Sequence, residues 1–547
     1  MSYHQTMKNI PKTINGNTRA AAQASEVWVP DNGDGTYTNP IIYADYSDPD
    51  VIRVGDVYYM TASSFHCVPG LPLLRSMDLV NWELIAHALP VMEPTEVYDK
   101  AQHANGVYAP CLRYHDGYFF IFWGDPDFGI YYTRSKTIEG PWSKPYMVKQ
   151  GRGFIDTTPL WDDDGKVYLA HAFANSRAGR HSILVVQEMA PDLSAMRGEE
   201  VVVFNGLDTG NYTVEGAKFH KRDGMYYILA PAGGVKDGWQ LALRAQHVFG
   251  PYEHKRVLEQ GPTDINGPHQ GAWIDTPKGE DWFIHFQDRG AFGRVVHLNP
   301  VRWEDGWPLV GVDLDGNGVG NPLHTHRKPA VDGPARLITP ADSDTFASGK
   351  PGLQWQWHGN PKPSFGSAGE PGGTYRLHMQ PRPADGANIW SGQVPSLLLQ
   401  KFPAGTFAAT AKIVLHAQKD GDEAGFIVMG KGYQYIGLKQ QDGQPHVRVV
   451  NCQNANKGDH EIEQHVAAVP TAAIIFRVEV DQGGCCQFYY SLNGESFTHA
   501  GEMFTATAGG WIGAKIGFFA LTDTAGDPAG HVDLHGIRFH PTMQREI

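Results

Sequence analysis

The chain is short of cysteine, of clustered basic residues and of long apolar runs, and each shortage removes a class of protein. Five cysteines among 547 residues, Cys67, Cys111, Cys452, Cys485 and Cys486, make an odd and sparse set. No disulfide framework is implied, and the vicinal pair Cys485-Cys486 reads as two strand residues facing opposite ways. A formal net charge of −14 without any Lys/Arg run argues against nucleic acid or an anionic membrane surface as partner, because both demand clustered cations. No stretch reaches the apolar length of a transmembrane helix. Residues Met1 to Ser25 carry basic side chains and an Ala20 to Ala24 segment like a signal cleavage site, but not the apolar segment that a secretion signal needs. Met1 to Ser25 is therefore expected to be a disordered leader, at the start of an N-terminal leader segment 1–37 in which Asp31 to Thr36 is a turn cluster that delivers the chain to the first blade, and the compartment is left open.

What is present is turn chemistry and aromatic strands. With 63 Gly, 37 Pro and 11% aromatic residues the composition fits a β protein, and the length demands two or more domains. One pattern recurs five times: an acidic or polar lead-in, an apolar strand, a Gly turn and an aromatic strand. Its turn glycines are Gly55, Gly117, Gly165, Gly224 and Gly279. Asp-Gly and its relatives between such strands signal tight hairpins. A repeat of roughly 40–50 residues, stretched by longer loops, is the signature of a propeller blade, so the spacing predicts a five-bladed β-propeller over residues 38–327. Residues 328–350, with Pro329, Pro334 and Pro340, read as a connection. Alternating segments such as Ile474 to Val480 then predict a β-sandwich over 351–547. Asp313-Leu-Asp315-Gly-Asn317-Gly318 mimics the start of a calcium loop. His324 stands where the closing acid would be, so an ordinary turn is expected.

In a propeller the innermost strand of each blade lines the channel, so residues at one offset before each turn should meet. Counting back seven to ten residues from the glycines gives Asp48, Tyr108, Asp156, Glu215 and His269. Three carboxyl groups at one channel mouth supply the kit for glycosidic cleavage: a protonated acid, an ionised base for water, and a third group to tune and orient the acid.

The segments Tyr46-Ser-Asp48-Pro-Asp50, Tyr108-Ala-Pro, Gly153-Phe-Ile-Asp156, Tyr212-Thr-Val-Glu215-Gly, His269-Gln-Gly and Phe292-Gly-Arg294 resemble glycoside hydrolase family 43, in its β-xylosidase/α-L-arabinofuranosidase branch. Trp355-Gln-Trp357-His-Gly-Asn360-Pro361 and Leu399-Gln400-Lys401 resemble the concanavalin-like, jelly-roll sandwich that accompanies this branch. The resemblance implies inversion, with Asp48 as general base, Glu215 as general acid and Asp156 as the residue that tunes and orients the acid. Inversion leaves room for a water, so the carboxyls of Asp48 and Glu215 are expected roughly 6.5–9.5 Å apart. Arg294 falls on the substrate arginine, Phe65 on an aromatic wall, and Tyr108 stands where Trp is commoner. His66 and Arg289, beside motif residues, are candidates for substrate contact. His269 falls beside a structural calcium ion on the axis, bound largely through water. No cofactor is required for the chemistry. Ala217, where Glu-Gly-Pro is usual, and Thr157-Thr158 leave pocket shape open.

The expected activity is exo-acting release of terminal β-D-xylose or α-L-arabinofuranose from xylo-oligosaccharides or arabinose-substituted xylan fragments. An endo-arabinanase and a non-catalytic carbohydrate-binding propeller are the alternatives. The sandwich reads as a cover for apolar propeller surface that also lends a loop to the pocket, or else as an independent sugar-binding module.

Overall fold

The computed structural model describes residues 24–333, 336–369, 373–383, 386–523 and 530–542. Five four-stranded sheets follow one another along the chain, each a meander in sequence order. Their innermost strands are Asp50–Val54, Tyr108–His115, Phe154–Trp161, Lys218–Arg222 and His269–Asp275. The second strands are mostly buried, and Val167–Phe173 is buried along its whole length, because each blade is covered on both faces by its neighbours; continuous apolar runs are what such strands require. The Asp-Gly hairpins form as expected. Asp116 and Gly117 both take positive φ, 46° and 78°, as do Asp223 and Gly224 at 50° and 79°, which is the two-residue turn matched to strand twist.

Within the expected leader segment, residues 24–37 are built into the fold. Ser25 Oγ donates to Asp342 Oδ2 at 2.5 Å, the Trp28 indole donates to the Pro40 carbonyl at 2.9 Å, and Tyr37 is fully buried. Thr36–Thr38 pairs antiparallel with Thr325–Arg327 beside the fifth blade. Two aromatic bodies in a polar stretch supply the apolar surface that fixes it; the rest of the leader, residues 1–23, lies outside the described residues. The end of the connection is also built in, since Phe346 sits fully buried in the sandwich core. Asp313 folds as the expected turn, its carboxylate accepting from the Gly316, Asn317 and Gly318 amides.

The second domain packs a seven-stranded sheet on an eight-stranded one. Strand Ala473–Val480 alternates as predicted, with Ile474, Phe476, Val478 and Val480 inward. The inner faces form a single large core that reaches into the propeller through Phe292, Tyr43 and Trp28. Backbone bonds sew the domains together: Val68 and Trp357 exchange N–H···O bonds of 3.0 and 2.6 Å, and Ala514 N donates to Ala291 O at 2.7 Å. The Asn360 side chain accepts from Met92 N at 2.8 Å and donates to Met92 O at 2.9 Å.

Candidate active site

A cavity of about 460 Å³ opens at one mouth of the channel, and Asp48, Phe65, Tyr108, Asp156, Glu215 and Arg294 all line it. The inner strands that deliver them are irregular at this end. The pairing slips by one residue between Ile155 and Thr158, between Tyr108 and Cys111, and between His269 and Gly271. A β-bulge re-aims side chains, and these three turn Asp156, Ala109 and Gln270 into the cavity. Pro110 sits inside its bulge, where its missing N–H costs no ladder bond.

The backbone is strained around the same cavity. Asp48, Phe65, Ala109 and Asp156 have φ of 54°, 48°, 35° and 59°, a region that L-residues with a Cβ avoid at a cost of about 1–3 kcal/mol each. Gly216, at φ 64°, has the opposite requirement: a Cβ there would meet Pro231 Cδ at 2.7 Å and Gln270 Cδ at 2.9 Å. Its amide, free to approach, donates to Asp156 Oδ2 at 2.8 Å, tying the residue beside Glu215 to the neighbouring carboxyl.

The carboxyl groups sit in distinct surroundings. Asp48 Oδ2 accepts from the Ser47 and Ser63 hydroxyls, each at 2.6 Å, and Arg294 Nη1 lies 3.4 Å from Oδ1. Among the described residues Glu215 has no such donors. Burial pushes its carboxyl up to about 7, with Arg294 opposing and Asp48 adding to the rise; the side chain keeps 36% of its surface open, and it lines the cavity. Burial also pushes Asp156 well above the carboxylate range, and the charge of Glu215 reinforces this against the Gly216 amide. The two titrate as a pair that retains a proton near neutrality. Behind them, fully buried Asp50 is pushed up by burial but held below the usual range by Lys218, Arg113 and the Leu112 amide. Its contacts, 3.4 Å to Lys218 and 2.9 Å to Arg113, join inner strands of three blades.

Arg294 is clamped. Its backbone amide donates to Asp45 Oδ1 at 2.9 Å, its Nη1 to Ser47 Oγ at 2.7 Å, and its guanidinium lies over Phe286 and Trp511. Trp511 comes from the sandwich. Its loop is pinned by Gly513 N, which donates to the other oxygen of Asp45 at 2.9 Å, so one carboxylate sets both the arginine and the loop. Phe65 and Tyr108 pack edge to face at 5.0 Å, and the Tyr108 hydroxyl donates to the Ala104 carbonyl.

Matching against known proteins decides what this arrangement belongs to. The model of glycosyl hydrolases family 43 matches residues 37–308, and that of the beta xylosidase C-terminal concanavalin A-like domain matches 343–539. A putative beta-xylosidase of Xylanibacter ruminicola is 37% identical over 498 residues, covering 89% of this chain and 86% of its own.

The chain belongs to glycosyl hydrolase family 43.

Other relatives of this family 43 chain include a beta-xylosidase of Formosa agariphila, 31% identical with 92% and 90% coverage. A non-reducing end alpha-L-arabinofuranosidase of Bacteroides ovatus is 30% identical with 75% and 77% coverage. The chain is a glycosidase built as a five-bladed propeller with a concanavalin-like sandwich.

Some candidates stand elsewhere than the sequence suggested. His66 does not line the cavity; it is fully buried against His103 and His358, ring centroids 5.2 and 4.7 Å away, because the sandwich draws it backward. Arg289 lies over Tyr43 at 6.0 Å, away from the cavity. His269 is buried with Nε2 3.6 Å from Glu215 Oε1, and burial pushes its imidazole down to about 3. Trp511, Gln270, Arg177 and Phe173 line the cavity without having been singled out. A tryptophan among four nearby glycines, Gly509-Gly510-Trp511-Ile512-Gly513 with Gly517, is the one signal that pointed to a presented aromatic.

Proposed function

We propose that the chain removes terminal pentosyl residues from xylan-derived oligosaccharides, with Glu215 as general acid, Asp48 as general base and Asp156 as the group that holds and tunes the acid. The observation that carries this reading is the unequal environment of the carboxyls in one cavity: Asp48 with hydroxyl donors on one oxygen and a guanidinium near the other, Glu215 raised to about 7 by burial. Glu215 gives its proton to the leaving glycosidic oxygen as the bond to the anomeric carbon breaks. Asp48 takes a proton from water as that water bonds to the same carbon from the opposite face, which inverts the centre. Arg294, immobilised through Ser47 and Asp45, offers a planar fork to vicinal sugar hydroxyls. Phe65, Tyr108 and Trp511 supply apolar walls for the pentose ring, and the Trp511 loop from the second domain favours an exo-acting pocket over an endo-acting groove.

Neither step calls on a metal. Among the described residues no three His, Cys, Asp or Glu ligand atoms converge around His269. Its two ring nitrogens lack hydrogen-bond partners, so the donor set suits a cation held mainly through water, as an ordering charge.

The test is release of 4-nitrophenol from its β-D-xylopyranoside and α-L-arabinofuranoside by wild type and Glu215→Ala, with xylobiose alongside. Hydrolysis by wild type is the expected outcome, with xylobiose cleavage collapsing in the variant and 4-nitrophenol release falling less, and the wild-type rate ratio assigns the sugar preference. Wild type that cleaves none of the three refutes the reading.

A further inference from the structure

Behind the aromatic wall of the cavity, three imidazoles meet at the seam between the domains. His66 belongs to the loop between the second and third strands of blade 1, His103 to the connection leading to blade 2, and His358 follows the sandwich strand Gln356–Trp357. Their ring centroids lie 4.7–5.2 Å apart in all three pairs, and one ligand nitrogen from each lies within 4.8 Å of the other two.

Buried polar groups in proteins are nearly always hydrogen-bonded. Here His66, fully buried, has no partner on either ring nitrogen, and the Nδ1 atoms of His103 and of the 4%-exposed His358 also lack one. The exception within the group is informative. His103 Nε2 lies 3.2 Å from the Trp390 carbonyl, and the ring stacks on the Trp390 indole at 3.6 Å and 4°. An Nε2–H donated to that carbonyl leaves the Nδ1 lone pair free to ligate, which is how proteins fix the tautomer of a metal-binding histidine. The backbone is equally committed: Trp357 pairs with Val68, His358 N donates toward the Pro395 and Leu397 carbonyls, and Ala101 N donates to Gln393 O at 3.1 Å.

We infer that His66, His103 and His358 form a divalent transition-metal site, for Zn²⁺ in the first place, which clamps the propeller to the sandwich. Three neutral nitrogen donors without a carboxylate suit zinc, cobalt, nickel or copper and not calcium or magnesium. Zn–N bonds of about 2.0–2.1 Å require donor atoms within about 4 Å of one another, so small ring rotations close the set, and water takes the fourth position. Burial already holds all three imidazoles in the neutral form that ligation needs, with His103 pushed down to about 4. The ion would sit one residue behind the substrate wall on two segments: His66 adjoins Phe65, and His103 adjoins Ala104, whose carbonyl receives the Tyr108 hydroxyl.

A second trio, His416, His531 and Asp533, of which only His416 is exposed, provides the control. Its carboxylate is taken up by Arg376 through bonds of 2.7 and 2.9 Å.

The full chain, stripped with dipicolinate and dialysed, is titrated with ZnCl₂ and, separately, CoCl₂, reading bound metal by atomic emission, the cobalt d–d spectrum and Tm. One ion per chain, an intense nitrogen-ligated cobalt spectrum and a Tm that rises with free zinc are expected. His103→Ala and His358→Ala should each weaken binding by more than the roughly 10–100-fold that loss of an outer-shell partner costs, while His416→Ala binds like wild type. Wild type that binds neither metal overturns the inference, as does undiminished binding by both His103→Ala and His358→Ala. If either variant fails to fold, the wild-type cobalt spectrum and the other variant still decide.

Discussion

The two domains handle buried polarity in opposite ways. In the propeller, strained φ angles at Asp48, Phe65, Ala109 and Asp156 and three bulged inner strands meet at one channel mouth, and the apolar residues are divided among clusters between blades. In the sandwich, strands such as Ala473–Val480 alternate over one large core between the sheets, with a second, smaller cluster around Tyr433 and Tyr435. Its buried charge is neutralised within one sheet, where Glu423 is held by Arg382 and Arg448. Three irregular inner strands of the propeller thus converge on one cavity, while the sandwich packs its two sheets over a shared core. The regular domain still supplies Trp511, on a loop that it can hold rigidly.

The strongest way to break this comparison is to empty the irregular site. Glu215→Gln should lower kcat/KM on xylobiose by roughly 10²–10⁴ and depress 4-nitrophenyl xyloside hydrolysis less, since that leaving group needs little protonation. Equal losses on both substrates would remove Glu215 from the acid role. Next comes the ion cluster beneath it. Lys218→Met leaves Asp50 buried beside Arg113 alone, and a loss of about 3–5 kcal/mol in urea-determined stability is expected; a loss under 1 kcal/mol would show that Arg113 suffices.

Trp511→Ala sharpens the comparison, because it touches the site from the regular domain. It should lower kcat/KM about tenfold, near 1.4 kcal/mol of transition-state binding, with Tm unchanged because Trp511 is 52% exposed. The smallest effects are in pH. Glu215 is raised from 4.5 to about 7 in the fold, so kcat/KM should fall as pH rises through about 7 and the proton is lost. Asp156→Asn removes a like charge and should move that limb to lower pH. The same shift bears on stability with a definite sign. A carboxyl raised on folding contributes stability below its unfolded pKa and loses it as pH rises through the folded value. Wild type should therefore lose Tm relative to Glu215→Gln between about pH 4.5 and 7, and a constant difference across that range would refute the shift.

Much of this was legible because local rules agree with the fold. Asp116-Gly117 and Asp223-Gly224 specify their turns without help from elsewhere, and five such turns fix the register of five blades. From that register the meeting of Asp48, Asp156 and Glu215 follows by counting. The bulges did not follow. No Gly or Asn marks φ 59° at Asp156, and the extra residue is accommodated by neighbouring blades. Nor did the course of His66 follow, since it is settled by His103 and by His358, which arrives with the second domain. Nor did the anchoring of residues 24–37 follow, since Trp28 and Tyr37 find partners more than 250 positions away.

Asp45 carries a consequence for how the enzyme comes into being. Its two oxygens bind amides 249 and 468 positions downstream. During synthesis the propeller strands can pair in order as they leave the ribosome, but the arginine loop waits for Arg294, and the cavity lacks a wall until Gly513 and Trp511 arrive. A nascent chain with all five blades complete would hold its three carboxyl groups in place and remain a poor catalyst, so competence should appear late in translation, when the second domain docks.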